Sequence, residues 1–216
     1  MSNDASLKKI PLDALHRELG AKFGGFAGYD MPIQYPAGLK QEHLATRTQA
    51  GLFDVSHMGQ IRIAPKDGQI ATLHRQLEAA LPVDFEGWPL GLQRYSVLLN
   101  AYGGIEDDLM LVNLGETVSM VVNAGNRDKD YAALVAACPG LEFSWVEASL
   151  IALQGPAAES IVAALDPGAA DMRFMQARVL MLDGAAYFTT RSGYTGEDGY
   201  EISMPATDAE RIVRKM

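Results

Sequence analysis

Cysteine is almost missing from this chain: Cys138 is the only one in 216 residues. One thiol can form neither an internal disulfide nor a multi-cysteine metal cluster. Its place beside the apolar run 132–137 predicts a small buried residue on a helix face. Positive charge is also in short supply, with 18 Lys and Arg against 27 Asp and Glu and a net charge of −9. That balance argues against nucleic acid as a partner, because phosphate contacts need a cationic surface that displaces counterions. No stretch approaches the ~18 apolar residues required to span a bilayer, and the opening MSNDASLKKIPLDAL has no apolar signal-peptide core. A soluble, cytoplasmic protein without a membrane partner is expected. What remains is ordinary globular material, 48% hydrophobic and 21% charged, sufficient for a substantial core.

Apolar spacing organises the chain into alternating elements. Pro11 suits a first helical turn, Leu12, Leu15 and Leu19 share one face, and Gly20 marks the exit. After a glycine-rich stretch a second helix is predicted over 39–50, stopped by Gly51. Residues 55–63 read as a strand, 68–80 as a helix with Ile70, Leu73 and Leu77 on one face, and 94–99, 108–112 and 118–122 as strands. A helix over 128–137 follows, then strands at 141–146 and 150–153, a helix at 157–165, and strands at 179–182, 186–191 and 200–204. Strands and helices thus alternate in two similar groupings, with no Pro/Ser-rich linker between them. One α+β unit over 1–216, made of two related halves with mixed or antiparallel sheets, is the expectation. Near the end, Thr207 and Glu210 have the spacing of a capping box. The helix it would open has barely begun at Met216, which suggests a piece of something longer.

Three segments carry candidate chemistry. Residues 100–108, NAYGGIEDD, join two strands through a Gly-Gly turn and deliver Glu106, Asp107 and Asp108 to the second strand. Adjacent strand residues face opposite ways, so Asp107 and Asp108 are not expected in one site, which disfavours a glycosidase-type pair. Taken alone, a solvated turn carboxylate is the plainer account of either. Residues 191–201, RSGYTGEDGYE, lack the endings of phosphate and dinucleotide loops. Glycine suits a tight hairpin connection, but the density of tyrosine and acid also suits a planar nitrogen heterocycle, stacked on rings and hydrogen-bonded by a carboxylate. Residues 52–60 bring His57 and Met58 to a strand start. His57 has no second ligand at metal spacing, and Met58 serves as core or as an adaptable wall for a flat ligand. There is no GxSxG elbow and no base near Cys138, so covalent catalysis lacks a nucleophile.

Taken in order, segments 51–58 (GLFDVSHM), 103–108 (GGIEDD), 121–124 (VVNA), 153–156 (LQGP) and 191–201 resemble the signatures of the aminomethyltransferases, the T-proteins of the glycine cleavage system. The likeness runs from about Leu12 to the last residue. It implies two intertwined α/β halves forming a folate-binding domain, with an arginine and a C-terminal β-barrel, which the family contributes further along, absent from this chain. The implied reaction moves the methylene carbon of an aminomethyl group, carried on the lipoyl arm of H-protein, to tetrahydrofolate, with release of ammonia and formation of 5,10-methylenetetrahydrofolate. By the same resemblance the catalytic aspartate falls on Asp108. Glu201 and Tyr194 correspond to residues that hold the pterin, Tyr95 and Met58 to cavity walls, and Val122 and Asn123 to further folate contacts; no metal is implied.

A net charge of −9 sits awkwardly with a polyglutamate tail and an acidic carrier, unless Lys8, Lys9, Arg17 and Lys22 offset it locally. Relatives with this module also oxidise dimethylglycine or sarcosine or demethylate with folate, and another, linked to iron–sulfur maintenance, carries a cysteine in the segment matching 191–201. Here Ser192 and Gly193 stand in that segment and no cysteine does.

Overall fold

The computed structural model describes residues 7–216, and within them the chain forms two compact units. The first comprises the chain up to His57 with Ala148–Phe174 and Val179–Met216, and the second comprises Met58–Glu147 with Met175–Arg178. The second is therefore inserted into the chain of the first, which gives the expected two intertwined halves a definite form. No helix among the described residues is long and apolar enough to cross a membrane.

In the first unit, β1 (Lys8–Lys9), β2 (Lys22–Phe26) and β3 (Tyr29–Gln34) make a small sheet in the order β1-β3-β2, with α1 (Asp13–Glu18) between β1 and β2 in sequence. Helix α2 (Leu39–Thr48) leads into β4 (Gly51–Asp54). The second unit follows with β5 (Gly59–Pro65), α3 (Ile70–Ala80), β6 (Gln93–Leu99), β7 (Ile105–Asn113), β8 (Val118–Val122), α4 (Arg127–Ala137) and β9 (Leu141–Trp145). Its sheet has the order β6-β7-β8-β5-β9, antiparallel at every pairing. The remaining elements are β10 (Ser149–Gln154), α5 (Ala158–Leu165), β11 (Ala177–Leu182), β12 (Ala185–Thr190), β13 (Gly199–Met204) and α6 (Ala206–Val213), and they build a sheet ordered β11-β12-β13-β10-β4.

Each unit has its own core. Ile61, Ile63, Leu111 and Met120 from the second unit's sheet pack with Leu73 and Leu77 of α3 and Leu134 of α4, all inaccessible to solvent. In the first, Ile151, Tyr200 and Ile202 pack with Leu12, Leu15 and Val162. Burying a side chain of this size contributes about 1.5–3 kcal/mol, so the alternation of β5 and β8 and the four-residue spacing of Leu73 and Leu77 set which face turns inward. Cys138 lies at the end of α4, wholly buried, with its thiol donating to the Gln76 carbonyl at 3.3 Å. Burial pushes that thiol up to about 11, and thiolate is the reactive form. We expect thiol reagents to leave Cys138 unmodified in the native protein at pH 8 and to label it on denaturation; rapid native labelling would contradict its burial.

Four sequence expectations change. Residues 55–63 are not one strand: β4 ends at Asp54, a turn covers 55–58, and β5 begins at Gly59. β4, just before this run, pairs with β10, and β5, within it, pairs with β8 and β9, so the strands on either side of the turn belong to different sheets. The glycine-rich stretch after Gly20 forms β2 and β3, although Gly24 and Gly25 weaken its strand signal. Leu19 and Ile70 sit at helix ends where the chain turns away, and are 49% and 42% exposed. Finally, Thr207 is not a cap: α6 starts at Ala206 after Pro205, and its first turn has no side-chain cap hydrogen bond.

Candidate functional site

The second unit collects acid and amide groups where β7 runs beside β8. Asn123, just past the end of β8, uses its Nδ2 to donate to Asp107 Oδ1 at 2.9 Å, to Asp108 Oδ1 at 2.9 Å and to the Asp108 carbonyl at 3.1 Å. The two aspartates therefore converge on one amide, contrary to the expectation from strand alternation. Their strand is irregular at this point: Leu98 pairs with Asp107 and Leu99 with Ile105, which leaves Glu106 without an opposing residue. Such a bulge re-aims side chains. Glu106 instead forms an ion pair with Lys129 of α4 and accepts from Asn100.

Asp107 is held below the usual carboxylate range by its hydrogen bonds, which outweigh the burial that opposes them. Behind it, in the first turn of α4, Asp130 is completely buried and pushed up to about 7, first by burial and then by the neighbouring Asp107 carboxylate. Nothing local in the sequence distinguishes Asp130 from an ordinary first-turn acid. The other sequence candidates in this unit are disposed differently. Tyr95 on β6 is 59% exposed, Met58 is half-buried just before β5, and Val122 is entirely within the core. Of these five, Asp108 and Asn123 are joined by a side-chain hydrogen bond.

Within the first unit, Glu201 lies on β13, paired across to Ala152 and Thr190. It is 6% exposed. Ser192 Oγ donates to Glu201 Oε2 at 2.6 Å, and Thr190 Oγ1 lies 2.8 Å from Ser192 Oγ. Burial pushes the Glu201 carboxyl up while the two hydroxyls pull it back. Tyr194, in the connection between β12 and β13, is 59% exposed. That connection is braced at its ends: Arg191 reaches Asp198, Glu159 and the Met172 carbonyl, and Arg47 reaches Glu197 and the Thr195 carbonyl. The segment is thus the glycine-bearing connection between β12 and β13, and it leads into the buried acid Glu201.

The first unit also contains a cavity of about 720 Å³, bordered among others by Phe26, Tyr35, Glu42, Arg47, His57 and Thr195, large enough for a small organic ligand. His57 is 8% exposed, packs edge-on to Phe26 and Tyr29, and is held toward its neutral form by burial. Beside it runs a buried relay in which His16 Nδ1 meets Tyr35 Oη at 2.7 Å and His16 Nε2 meets Asp54 Oδ2 at 3.1 Å. Burial and the nearby Asp54 and Glu42 push Tyr35 up to about 12, so it stays protonated. Residues 16, 35 and 54 are too far apart in sequence for any spacing rule to link them. Glu201 and Tyr194 do not border this cavity. The cations proposed to offset the acidic charge are partly committed elsewhere: Arg17 pairs with Asp13 and Asp30, and Lys9 with Asp13.

A solved glycine cleavage system aminomethyltransferase T from Bartonella henselae superposes with a TM-score of 0.89 at 44% identity, over 97% of this chain and 57% of that one. Residues 12–216 match the GCVT N-terminal domain model, and the chain belongs to that family. Similar proteins include the mitochondrial aminomethyltransferase of Dictyostelium discoideum, 43% identical over 98% of this chain and 54% of its own length. The aminomethyltransferase of Herpetosiphon aurantiacus is 41% identical over 95% and 57% respectively. The chain spans little more than half the length of these relatives. A heterotetrameric sarcosine oxidase from Corynebacterium shares the fold, with a TM-score of 0.58 at 17% identity.

Proposed function

We propose that this chain is the tetrahydrofolate-binding domain, residues 1–216, of an aminomethyltransferase of the glycine cleavage system. The reaction we assign moves the methylene carbon of a lipoyl-bound aminomethyl group on H-protein to tetrahydrofolate, releasing ammonia and forming 5,10-methylenetetrahydrofolate. Glu201 is the observation that carries the ligand assignment. A carboxylate 6% exposed, met by two hydroxyls and by no cation among the described residues, is costly to hold ionised. A ligand edge bearing two N–H donors, as the aminopyrimidine ring of a pterin does, offsets that cost and is selected by it.

In this reading Glu201 and Tyr194 hold the pterin, and Tyr95, Met58, Asn123 and Val122 contribute further folate contacts. Val122, whose side chain is enclosed in the core, offers its backbone. Asp108 acts at the reactive nitrogens: it accepts a proton as the second nitrogen closes the ring and stabilises the cationic, iminium-like stage. Asn123 keeps Asp108 oriented by donating to its Oδ1. The lipoyl group arrives on the carrier, so this chain holds no resident cofactor in this scheme. A cytoplasmic location belongs to the same proposal. The Dictyostelium relative is named mitochondrial.

Calorimetric titration of tetrahydrofolate into the full-length protein tests the assignment. One-to-one binding is expected, weakened by Glu201→Ala by at least tenfold, in line with the roughly 1.5–3 kcal/mol of a charge-assisted hydrogen bond. Absence of binding by a folded protein would remove the folate reading; equal binding by the variant would remove Glu201 from it.

A further inference from the structure

Three buried carboxylate oxygens lie behind the Asp108 cluster without a donor from any neighbouring group: Asp107 Oδ2 and both oxygens of Asp130. The other Asp107 oxygen is fully engaged, accepting from Asn123 Nδ2 at 2.9 Å and from the Asp108 amide at 3.0 Å. Two ionised carboxylates in mutual contact, one of them with no exposed surface, would repel strongly in a low-dielectric setting. One proton removes the repulsion and engages two of the three oxygens, because a protonated carboxyl donates as well as accepts. Among the described residues no third ligating side chain joins the pair to make a cation site.

We propose that Asp130 is a positioning residue for the Asp108 site: its carboxyl shares a proton with Asp107, which locks Asp107 in place, and Asp107 in turn holds the Asn123 amide that orients Asp108. Asn123 Nδ2 already joins Asp107 to Asp108, at 2.9 Å from each Oδ1, and the shared proton engages the orphaned Asp107 Oδ2 and one of the two orphaned oxygens of Asp130. The division of roles follows from the surroundings. Asp107 has the amide donors and keeps the negative charge, while Asp130 has none and keeps the proton. Charged groups facing the pair are Glu106 on β7, which reinforces the proton, and Lys129 on α4, which opposes it and is itself ion-paired with Glu106. The catalytic consequence rests on the assignment of Asp108 made above, but the shared proton does not.

The sign of the pH effect follows from the direction of the shift. A carboxyl whose folded value is raised contributes stability that is fully present below its unfolded value and is lost as pH rises through the folded one. For Asp130 that window runs from about 4 to about 7.

Two measurements on the full-length protein decide the matter. In protein carrying 13C-labelled aspartate carboxyls, with no folate added, the resonance removed by Asp130→Asn should titrate near pH 7; titration below about pH 5 would overturn the shared proton. Turnover then tests the positioning. Asp130→Asn, whose amide can donate to Asp107 in place of the proton, should keep kcat within about threefold, and its stability should vary less with pH between 4 and 7. Asp130→Leu should lower kcat about tenfold or more while the Kd for tetrahydrofolate stays within threefold. Equal turnover by Asp130→Asn and Asp130→Leu would overturn the positioning role. Should Asp108→Asn prove fully active, the reading of Asp108 fails, whereas the carboxyl titration still reports on Asp130.

Discussion

Asp108→Asn in the full-length protein is expected to reduce kcat for methylene transfer by about 10²–10⁴-fold, the usual contribution of a positioned general base, with tetrahydrofolate affinity within about threefold of wild type. The argument rests on what the substitution keeps and what it removes. Asparagine has nearly the shape of aspartate and retains an Oδ1 to accept from Asn123 Nδ2, now at 2.9 Å. The strand register of β7, with Asp108 opposite Val97, has no reason to alter. What disappears is the negative charge and the ability to take a proton. A loss confined to kcat identifies an interaction used in the transition state, whereas a rise in KM alone would identify one used equally in the ground state. Steady-state kinetics with varied tetrahydrofolate separates the two, and near-normal turnover would sink the catalytic assignment.

The largest effect on stability is expected from Gly155→Ala, on the order of 4 kcal/mol, because strain and overpacking each cost about 1–3 kcal/mol and both apply. Gly155 follows β10 with φ near +129°, a region that side-chain-bearing residues seldom adopt. A Cβ there would lie 2.5 Å from the Gln49 carbonyl oxygen, 2.6 Å from that of Thr46 and 2.9 Å from Ala50 Cα. All three are backbone atoms at the end of α2, and none can rotate away. The approach is itself held by hydrogen bonds, from the Ala157 amide to Gln49 O and from the Gly155 amide to Asp198 O, each 2.8 Å. Gly184 provides the control: its φ is also positive, at +81°, but no atom lies within 4 Å of an added Cβ. Its alanine variant should lose about 1 kcal/mol. Denaturant midpoints for the two variants measure the difference, and similar losses would show that the close approach at Gly155 is not what requires glycine.

These two residues also mark how far local pattern reaches. Asp108 and Gly155 both stand in segments whose residue types resemble a family signature, yet spacing alone assigned neither a role. For Asp108 the period-two rule pointed the wrong way: Asp107 and Asp108 keep regular register opposite Leu98 and Val97, yet the Asn123 amide, from just past β8, reaches both carboxylates. Asn123 lies 15 residues beyond Asp108, outside any window of a few residues.

Elements whose burial is periodic were legible. Helix α3 and strands β6 and β8 fall within two residues of their expected positions, since Leu73 and Leu77 or Val118, Met120 and Val122 repeat at the period of the element they bury. The turn at 55–58 between β4 and β5 was not legible, because which sheet each strand joins is set by partners far away in the chain. Nor was the sheet of β1, β2 and β3, whose glycines carry turn signals while the pairing comes from outside the segment.

By itself, then, the sequence determined the α+β class, most of the alternating elements, the inward face of each, the burial of Cys138 and, through its motifs, the family. Tertiary structure alone decided that the second unit interrupts the first, that His16 meets Tyr35 and Asp54, and that Asp130 stands behind Asp107. The physical reason is range. Propensity and periodicity act over the few residues that share a turn or a pleat, while hydrogen bonds between distant segments, and the protons they trap, exist only after the chain has closed around them.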